Sequence, residues 1–272
     1  MTPYTRTIEK VTEALAGAPL DYEEEKAFVG SQKKKGISWQ EAGVLVLMAE
    51  GKNGLSFILN KRSQEVSQPG DLCFPGGHAL PIADRFVANW IIPYVLPMRK
   101  SQGYAAARQR RPKTFETISF YLANALRECW EEMRVGPRKI DFLGALPCYR
   151  LVGRRKIVYP MVGRLTKPVK FKISYEIEKN VCLPLKDLWE PDNYGLYSLK
   201  LTGKYRELAG TDVWNLPCFA VAGKDGSRDI LWGATFMILM NLLKTVFGFT
   251  PPMDGPVRAK ADLYPAAAKK RH

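Results

Sequence analysis

Three glutamates and two arginines crowd one short stretch, "RECWEEMRV" (residues 127–135). On an α-helix Glu128, Glu131 and Glu132 stand at i, i+3 and i+4 and share a face. Like charges at that spacing repel by roughly 0.2–0.5 kcal/mol per pair. Arg127 and Arg134 offset that repulsion only at the edge. A hard divalent cation would remove it, since Mg²⁺ takes oxygen ligands of this kind. Taken alone, the pattern also fits the solvated face of an ordinary amphipathic helix, with Leu122, Leu126, Cys129, Trp130 and Met133 as its apolar stripe. Arg127 and Glu131, four residues apart, could pair as any surface i,i+4 couple does, or could hold Glu131 in place.

The glutamates need a helix to carry them and a loop to face them. "TFETISFYLANALRECWEEM" (114–133) predicts that helix, with Thr114 as cap and Gly136-Pro137 as the stop. Upstream, "AGVLVLMAE" (42–50) and "LSFILNKR" (55–62) flank "GKNG" and predict a hairpin. The glycine- and proline-rich "QPGDLCFPGGHALP" then predicts a shaped loop, in which glycines let backbone approach a ligand. Residues 5–16 predict a short amphipathic helix. "DYEEEKAFVGSQKKKG" reads as surface, and "DFLGALPCY", "IVYPMVGRLT", "VKFKISYEI" and "VCLPL" as strands. A late helix is expected at about 230–247. The pattern is α+β, or α/β/α, with no linker dividing the 272 residues.

Composition narrows the chemistry. With 46% hydrophobic and 25% charged residues the chain is globular, and no apolar run reaches the ~20 residues of a membrane span. The first residues lack the apolar core of a signal peptide, so a cytoplasmic protein without a membrane partner is expected. Five scattered cysteines fit buried thiols rather than a disulfide framework. Only His78 and His272 are histidines, which disfavours a His-based zinc site or a Ser-His-Asp triad and leaves metal chemistry to carboxylates. The formal charge of +14 attracts polyanions or phosphate-rich molecules. Residues 85–113 hold seven Lys/Arg, no Asp or Glu, and the aromatics Phe86, Trp90, Tyr94 and Tyr104. This stretch reads as a basic insertion at about 80–113 with one helix, and "AAAKKRH" as part of a basic tail at about 255–272.

"FPGG" (74–77) followed by "ALRECWEEMRV" resembles the Nudix box, G-x5-E-x7-R-E-U-x-E-E-x-G-U with U apolar. "LNKRSQEVSQPGDLCFPGG" (59–77), "YPMVGRL" (159–165), "YEIEKNVCLPLKDL" (175–188) and "ILWGATFMILMNLL" (230–243) are similar, in order, to the coenzyme A diphosphatase branch of that superfamily. The resemblance implies one Nudix domain over residues 1–272, core about 40–248, with a mixed β-sheet sandwiched between helices. It also implies a MutT-like diphosphohydrolase cleaving coenzyme A or its thioesters to 3′,5′-ADP and 4′-phosphopantetheine, on Mg²⁺ or Mn²⁺. Glu128, Glu131 and Glu132 would be the metal ligands and, with Arg127, the catalytic group. Glu176 or Glu178 would add a fourth carboxylate. Arg62, Gly76, Gly77 and His78 would meet the substrate. Other nucleoside diphosphate derivatives such as ADP-ribose, or a degenerate domain binding nucleotide or nucleic acid, are the alternatives, and a homodimer is allowed.

The chain departs from that pattern at four places. About fifty residues separate Gly77 from Arg127. Ser119 stands where the box glutamate belongs, leaving Asp84 or Glu116 for its role. Arg134 replaces the box glycine, and Ser67 lies near where the branch carries an arginine.

Overall fold

The computed structural model describes residues 3–51, 54–201, 206–207, 210–223 and 226–262. Strands β1 (Gln40–Gly51) and β2 (Gly54–Arg62) form the expected antiparallel pair. Residues 52 and 53 of their turn lie outside the described set. β1 also runs parallel to β7 (Lys156–Leu165) and antiparallel to the short β4 (Gly76–His78). These strands belong to one eight-stranded mixed sheet. β3 (Leu72–Cys73) and β8 (Ile177–Pro184) join it on β2, and β5 (Ile140–Ala145) and β6 (Tyr149–Leu151) on β7. Buried apolar runs such as Leu45–Val46–Leu47–Met48 fit a sheet covered on both faces.

One face is covered by α5 (Pro112–Met133), whose Ile118, Tyr121, Leu122, Leu126 and Cys129 pack with Leu45, Leu47, Tyr159 and Met161. The other face meets α1 (Pro3–Gly17) and α6 (Gly233–Phe247). This mixed sheet between helices is the α+β arrangement expected. Four strands absent from the sequence reading or read otherwise form a second sheet. In order they are β11 (Arg228–Trp232), β10 (Val213–Ala222), β9 (Tyr194–Lys200) and β12 (Val257–Asp262). Phe219, Val221 and Leu231 of that sheet share a core with α6 and with Phe57 and Leu59.

Several expectations are corrected. Residues 169–176 are not a strand: the Lys172 and Ser174 N–H groups donate to Met133 and Glu132 carbonyls at 3.1 and 2.9 Å, satisfying the end of α5 instead of a ladder. Thr114 is no cap, because α5 starts at Pro112 and the Thr114 hydroxyl donates to Glu23 at 2.8 Å. Trp130 is not in the apolar stripe but stands 46% exposed. "DYEEEKAFVGSQKKKG" holds a helix, α2 (Tyr22–Lys34), anchored by the buried Tyr22 hydroxyl on the Leu146 carbonyl at 2.8 Å. The insertion carries four helical pieces rather than one: α3 (Pro81–Phe86), a π-turn (Val87–Ile91), a 3₁₀ turn (Pro97–Lys100) and α4 (Gln102–Arg108). Residues 257–262, read as tail, form β12; the "AAAKKRH" stretch and His272 lie outside the described residues.

Gly43 sets the approach of α5 to the sheet. A Cβ there would meet the Tyr121 carbonyl at 2.6 Å and Asn124 Oδ1 at 2.8 Å. Its N–H donates to Asn124 Oδ1 at 2.6 Å. Gly43→Ala should therefore lower stability by about 2 kcal/mol through overpacking, read as a shift of the urea midpoint with the slope unchanged.

Candidate active site

Arg127 is the hub of the polar face of α5. Its Nε donates to Asp84 Oδ1 at 2.8 Å, its Nη1 to Glu131 Oε2 at 2.9 Å, and its Nη2 to the His78 carbonyl at 2.9 Å. Nη2 also lies 2.9 Å from Glu128 Oε1. Of Asp84 and Glu116, it is Asp84 that meets Arg127, fully buried on α3 and accepting from the Leu80 N–H at 2.6 Å. Glu116 instead pairs with Arg85 at 3.1 Å on the surface. Against the desolvation of burial, Asp84 and Glu128 hold the Arg127 pKa well above its ordinary value.

Glu128 reaches toward β4 because position 77 has no side chain: a Cβ on Gly77 would lie 2.5 Å from the Glu128 carboxyl carbon. Gly76 is equally confined, its Cβ position lying 2.5 Å from the Gly43 carbonyl. Glu132 is buried. Its Oε2 accepts from Asn60 Nδ2 at 2.7 Å, and Asn60 Oδ1 accepts in turn from Asn180 Nδ2 at 2.7 Å. The Gly76 backbone is a second hydrogen-bond partner of Glu132. Burial, and then the Glu128 charge, still push the Glu132 carboxyl up to about 8. Burial also raises Glu128, against the opposing pull of Arg127.

His78 faces Gln40, with Nε2 2.9 Å from Oε1, so its ring bridges β4 to the start of β1. Burial lowers its pKa, and Lys156 adds to that. Lys156 opens β7 opposite Gln40 and is itself lowered by burial and by Arg62 and Arg154, while Glu128 opposes. Arg62, expected at the substrate, turns onto its own loop and donates from Nε to the Ser67 carbonyl at 2.7 Å. Arg154 reaches that loop from the other side, donating to Gln68 Oε1 at 2.7 Å. Of the two downstream carboxylates, Glu176 lies close enough to raise Glu132, whereas Glu178 pairs with Lys61 at 3.2 Å.

The structure thus brings Arg127, Glu128, Glu131, Glu132, Gly76, Gly77 and His78 together around one end of the sheet. It adds Asp84, Asn60, Asn180, Asn124 and Lys156, which the sequence reading left out of the site or unresolved. Asn60 did leave a signal, an amide directly after the apolar run "FIL" of the same strand. Arg134 takes the left-handed conformation, φ 56°, that the missing glycine would serve, and its guanidinium lies 5.5 Å from the Trp130 ring centre. Of the seven basic insertion residues, Arg85 and Arg111 pair with Glu116 and Glu23. Arg110 caps α1 through the Leu15, Ala16 and Ala18 carbonyls, each at 2.9 Å.

Among the described residues no three Asp, Glu, His or Cys side chains converge as a ready ligand cluster. Glu128 and Glu131 rest on Arg127. The donors nevertheless suit a hard cation: they are all oxygen, and the raised Glu132 and Glu128 mark a local excess of negative charge.

No family model matches the chain. Over 163 residues it is 27% identical to peroxisomal coenzyme A diphosphatase ndx-8 of Caenorhabditis elegans, covering 58% of this chain and 54% of that protein. The chain therefore spans about half the length of the curated relative it matches. Among solved structures it is similar to a MutT/nudix family protein from Enterococcus faecalis, with a TM-score of 0.40 and 12% identity over 84% of this chain and 73% of that one. The NUDIX domain of Shewanella oneidensis NrtR complexed with ADP ribose gives 0.37 and 16%, over 58% and 80%. A C. elegans Ap4A hydrolase binary complex gives 0.35 and 18%, over 54% and 82%.

Two outcomes follow from this geometry. Glu132 titrates higher in the fold than in the unfolded chain, so the folded state holds the extra proton between the ordinary carboxylate range and about pH 8. Stability carried by this group is accordingly full at acid pH and falls as pH rises through that window. The protein should melt at a lower temperature at pH 8 than at pH 6. Asp84→Ala removes the buried acceptor of both Arg127 Nε and the Leu80 N–H and should lower stability by about 3 kcal/mol, measured by denaturant unfolding.

Proposed function

We propose that this chain is a metal-dependent diphosphohydrolase of the Nudix type, and that its substrate is coenzyme A or an acyl-coenzyme A. The observation that carries the reading is the acid face itself: Glu132 buried on Asn60, and Glu128 seated over Gly77 and held by the Arg127–Asp84 bracket. A surface helix with an idle polar face has no need to bury one of three clustered glutamates. The curated similarity to a coenzyme A diphosphatase supports the substrate.

Glu128, Glu131 and Glu132 would hold Mg²⁺ or Mn²⁺, with Glu176 as the nearer fourth carboxylate. The bound ion would neutralise a diphosphate and acidify a water for attack on phosphorus. The protein's own contribution is placement. Arg127 keeps Glu128 and Glu131 in reach of the site before any ion arrives. Asn60 fixes one Glu132 oxygen and leaves the carboxylate to face Glu128. Gly77 leaves room for the Glu128 carboxylate against the β4 backbone, and Gly76 lets β4 lie close on β1. Lys156 on β7 and His78 on β4, strands that each pair with β1, would supply a cationic and a hydrogen-bonding group to the phosphate oxygens.

Turnover of coenzyme A, ADP-ribose, dinucleoside polyphosphates and nucleoside triphosphates with Mg²⁺ or Mn²⁺ tests the reading. Release of 3′,5′-ADP from coenzyme A ahead of the others is the expected result. Preference for ADP-ribose would move the substrate but keep the class. No turnover of any of them, with salt-sensitive nucleic-acid binding instead, would overturn it. Glu132→Gln should reduce kcat by at least about a hundredfold if that oxygen belongs to the site, while circular dichroism stays that of the wild type.

A further inference from the structure

The helical segment after the FPGG loop has two stripes at the same four-residue spacing. Asp84, Ala88, Ile92 and Leu96 form the inner one, all buried against α5 and the sheet. Ile82, Phe86, Trp90 and Tyr94 form the outer one, at 88%, 58%, 61% and 66% exposure. The backbone explains the alignment. An α-turn holds about 3.6 residues and a π-turn more, so the drift of a four-residue repeat through α3 is reversed through the π-turn that follows. Ile92 N–H donating to the Val87 carbonyl at 2.9 Å and Leu96 N–H to Ile91 at 3.1 Å mark the wider turns. Trp90 and Tyr94 stack, their ring centres 6.3 Å apart. Leu80 and Val95 extend the apolar surface, at 49% and 47% exposure.

A packed surface helix carries polar residues on its outer stripe. This one carries Ile, Phe, Trp and Tyr, a contiguous exposed patch of a kind that marks interaction sites. The charges around it select the partner. Between residues 80 and 113 the one acid is Asp84, buried and bound to Arg127. Arg85 is paired with Glu116, and Arg99 and Lys100, five and six residues past Tyr94, are exposed. Aromatic and aliphatic side chains with basic neighbours are what an anionic bilayer surface takes, since the rings enter the headgroup boundary and the cations meet lipid phosphates. No described helix is long and apolar enough to cross a membrane, and surface attachment requires none.

We propose that the ridge of Ile82, Phe86, Trp90 and Tyr94, with Arg99 and Lys100, docks the protein on an anionic lipid surface. The inference stands on exposure and charge and is independent of the catalytic reading. It is tested by co-sedimentation of the full chain with vesicles of phosphatidylcholine alone and of phosphatidylcholine enriched in phosphatidylserine. The wild type should be retained on the anionic vesicles, released by salt, and not retained on the neutral ones. The double variant Phe86→Ser with Trp90→Ser, at exposed positions that leave the core intact, should bind at least about tenfold more weakly. Circular dichroism establishes that it folds. Absence of wild-type retention, equal retention of the double variant, or equal retention on neutral vesicles would overturn the proposal. So would a wild-type dimer in light scattering without lipid that the double variant loses, which would assign the ridge to a second copy of the chain.

Discussion

Arg127 meets Asp84, Glu128, Glu131 and the His78 carbonyl, each at 2.8 or 2.9 Å from one of its nitrogens. These partners come from three separate segments: α3, the polar face of α5 and the end of β4. A planar guanidinium with five donors can serve such a ring, and an ammonium cannot. The bond to His78 ties α5 to the FPGG strand, and the bond to Asp84 ties α5 to the insertion. Loosening this group would free Glu128 and Glu131 to repel each other and would leave Asp84 buried without its cation. The architecture of the site therefore hangs on one side chain whose neighbours are distant in sequence.

Glu132 shows the opposite economy. Two hydrogen bonds reach it, yet burial and Glu128 still hold its pKa at about 8. A carboxylate kept in that condition weakens the metal-free fold at neutral pH, and packing elsewhere has to offset it. Asn60 and Asn180 supply part of the compensation, since an amide chain running from β8 through β2 to α5 satisfies Glu132 without a second cation. A buried lysine in place of Asn60 would neutralise the charge and, with it, any attraction for a divalent ion.

The segment between β4 and α5 serves both core and surface. Its inner stripe fills the space beside α5 with Ala88, Ile92 and Leu96, and gives Asp84 to Arg127. Its outer stripe leaves four large apolar side chains in water. Since the two stripes belong to one helical run, whatever meets the outer ridge sits directly behind the residue that brackets the acid face. Arg110, from the same segment, closes the end of α1.

The helix bearing Glu128, Glu131 and Glu132, the first hairpin and the late helix follow from period and turn residues that need no tertiary information. Local propensity and burial agree at those positions. The glycines of FPGG were legible as backbone that a ligand can approach, but that the Glu128 side chain fills the space over Gly77 was not. The choice of Asp84 over Glu116 was not, because both lie in plausible sequence positions and only the packing of α3 on α5 buries one of them. Nor was the fate of residues 169–176, whose apolar alternation reads as a strand. Their N–H groups are drawn to the free carbonyls of α5, a competition no local pattern records. The outer ridge was visible only as Phe86, Trp90 and Tyr94 among the aromatics of a basic stretch, since whether Trp90 and Tyr94 pack or protrude depends on a π-turn that shifts the phase of the segment. Sequence determined which residues carry charge and which elements carry them; tertiary packing decided which charges are buried together, because desolvation acts on position in space and not on spacing along the chain.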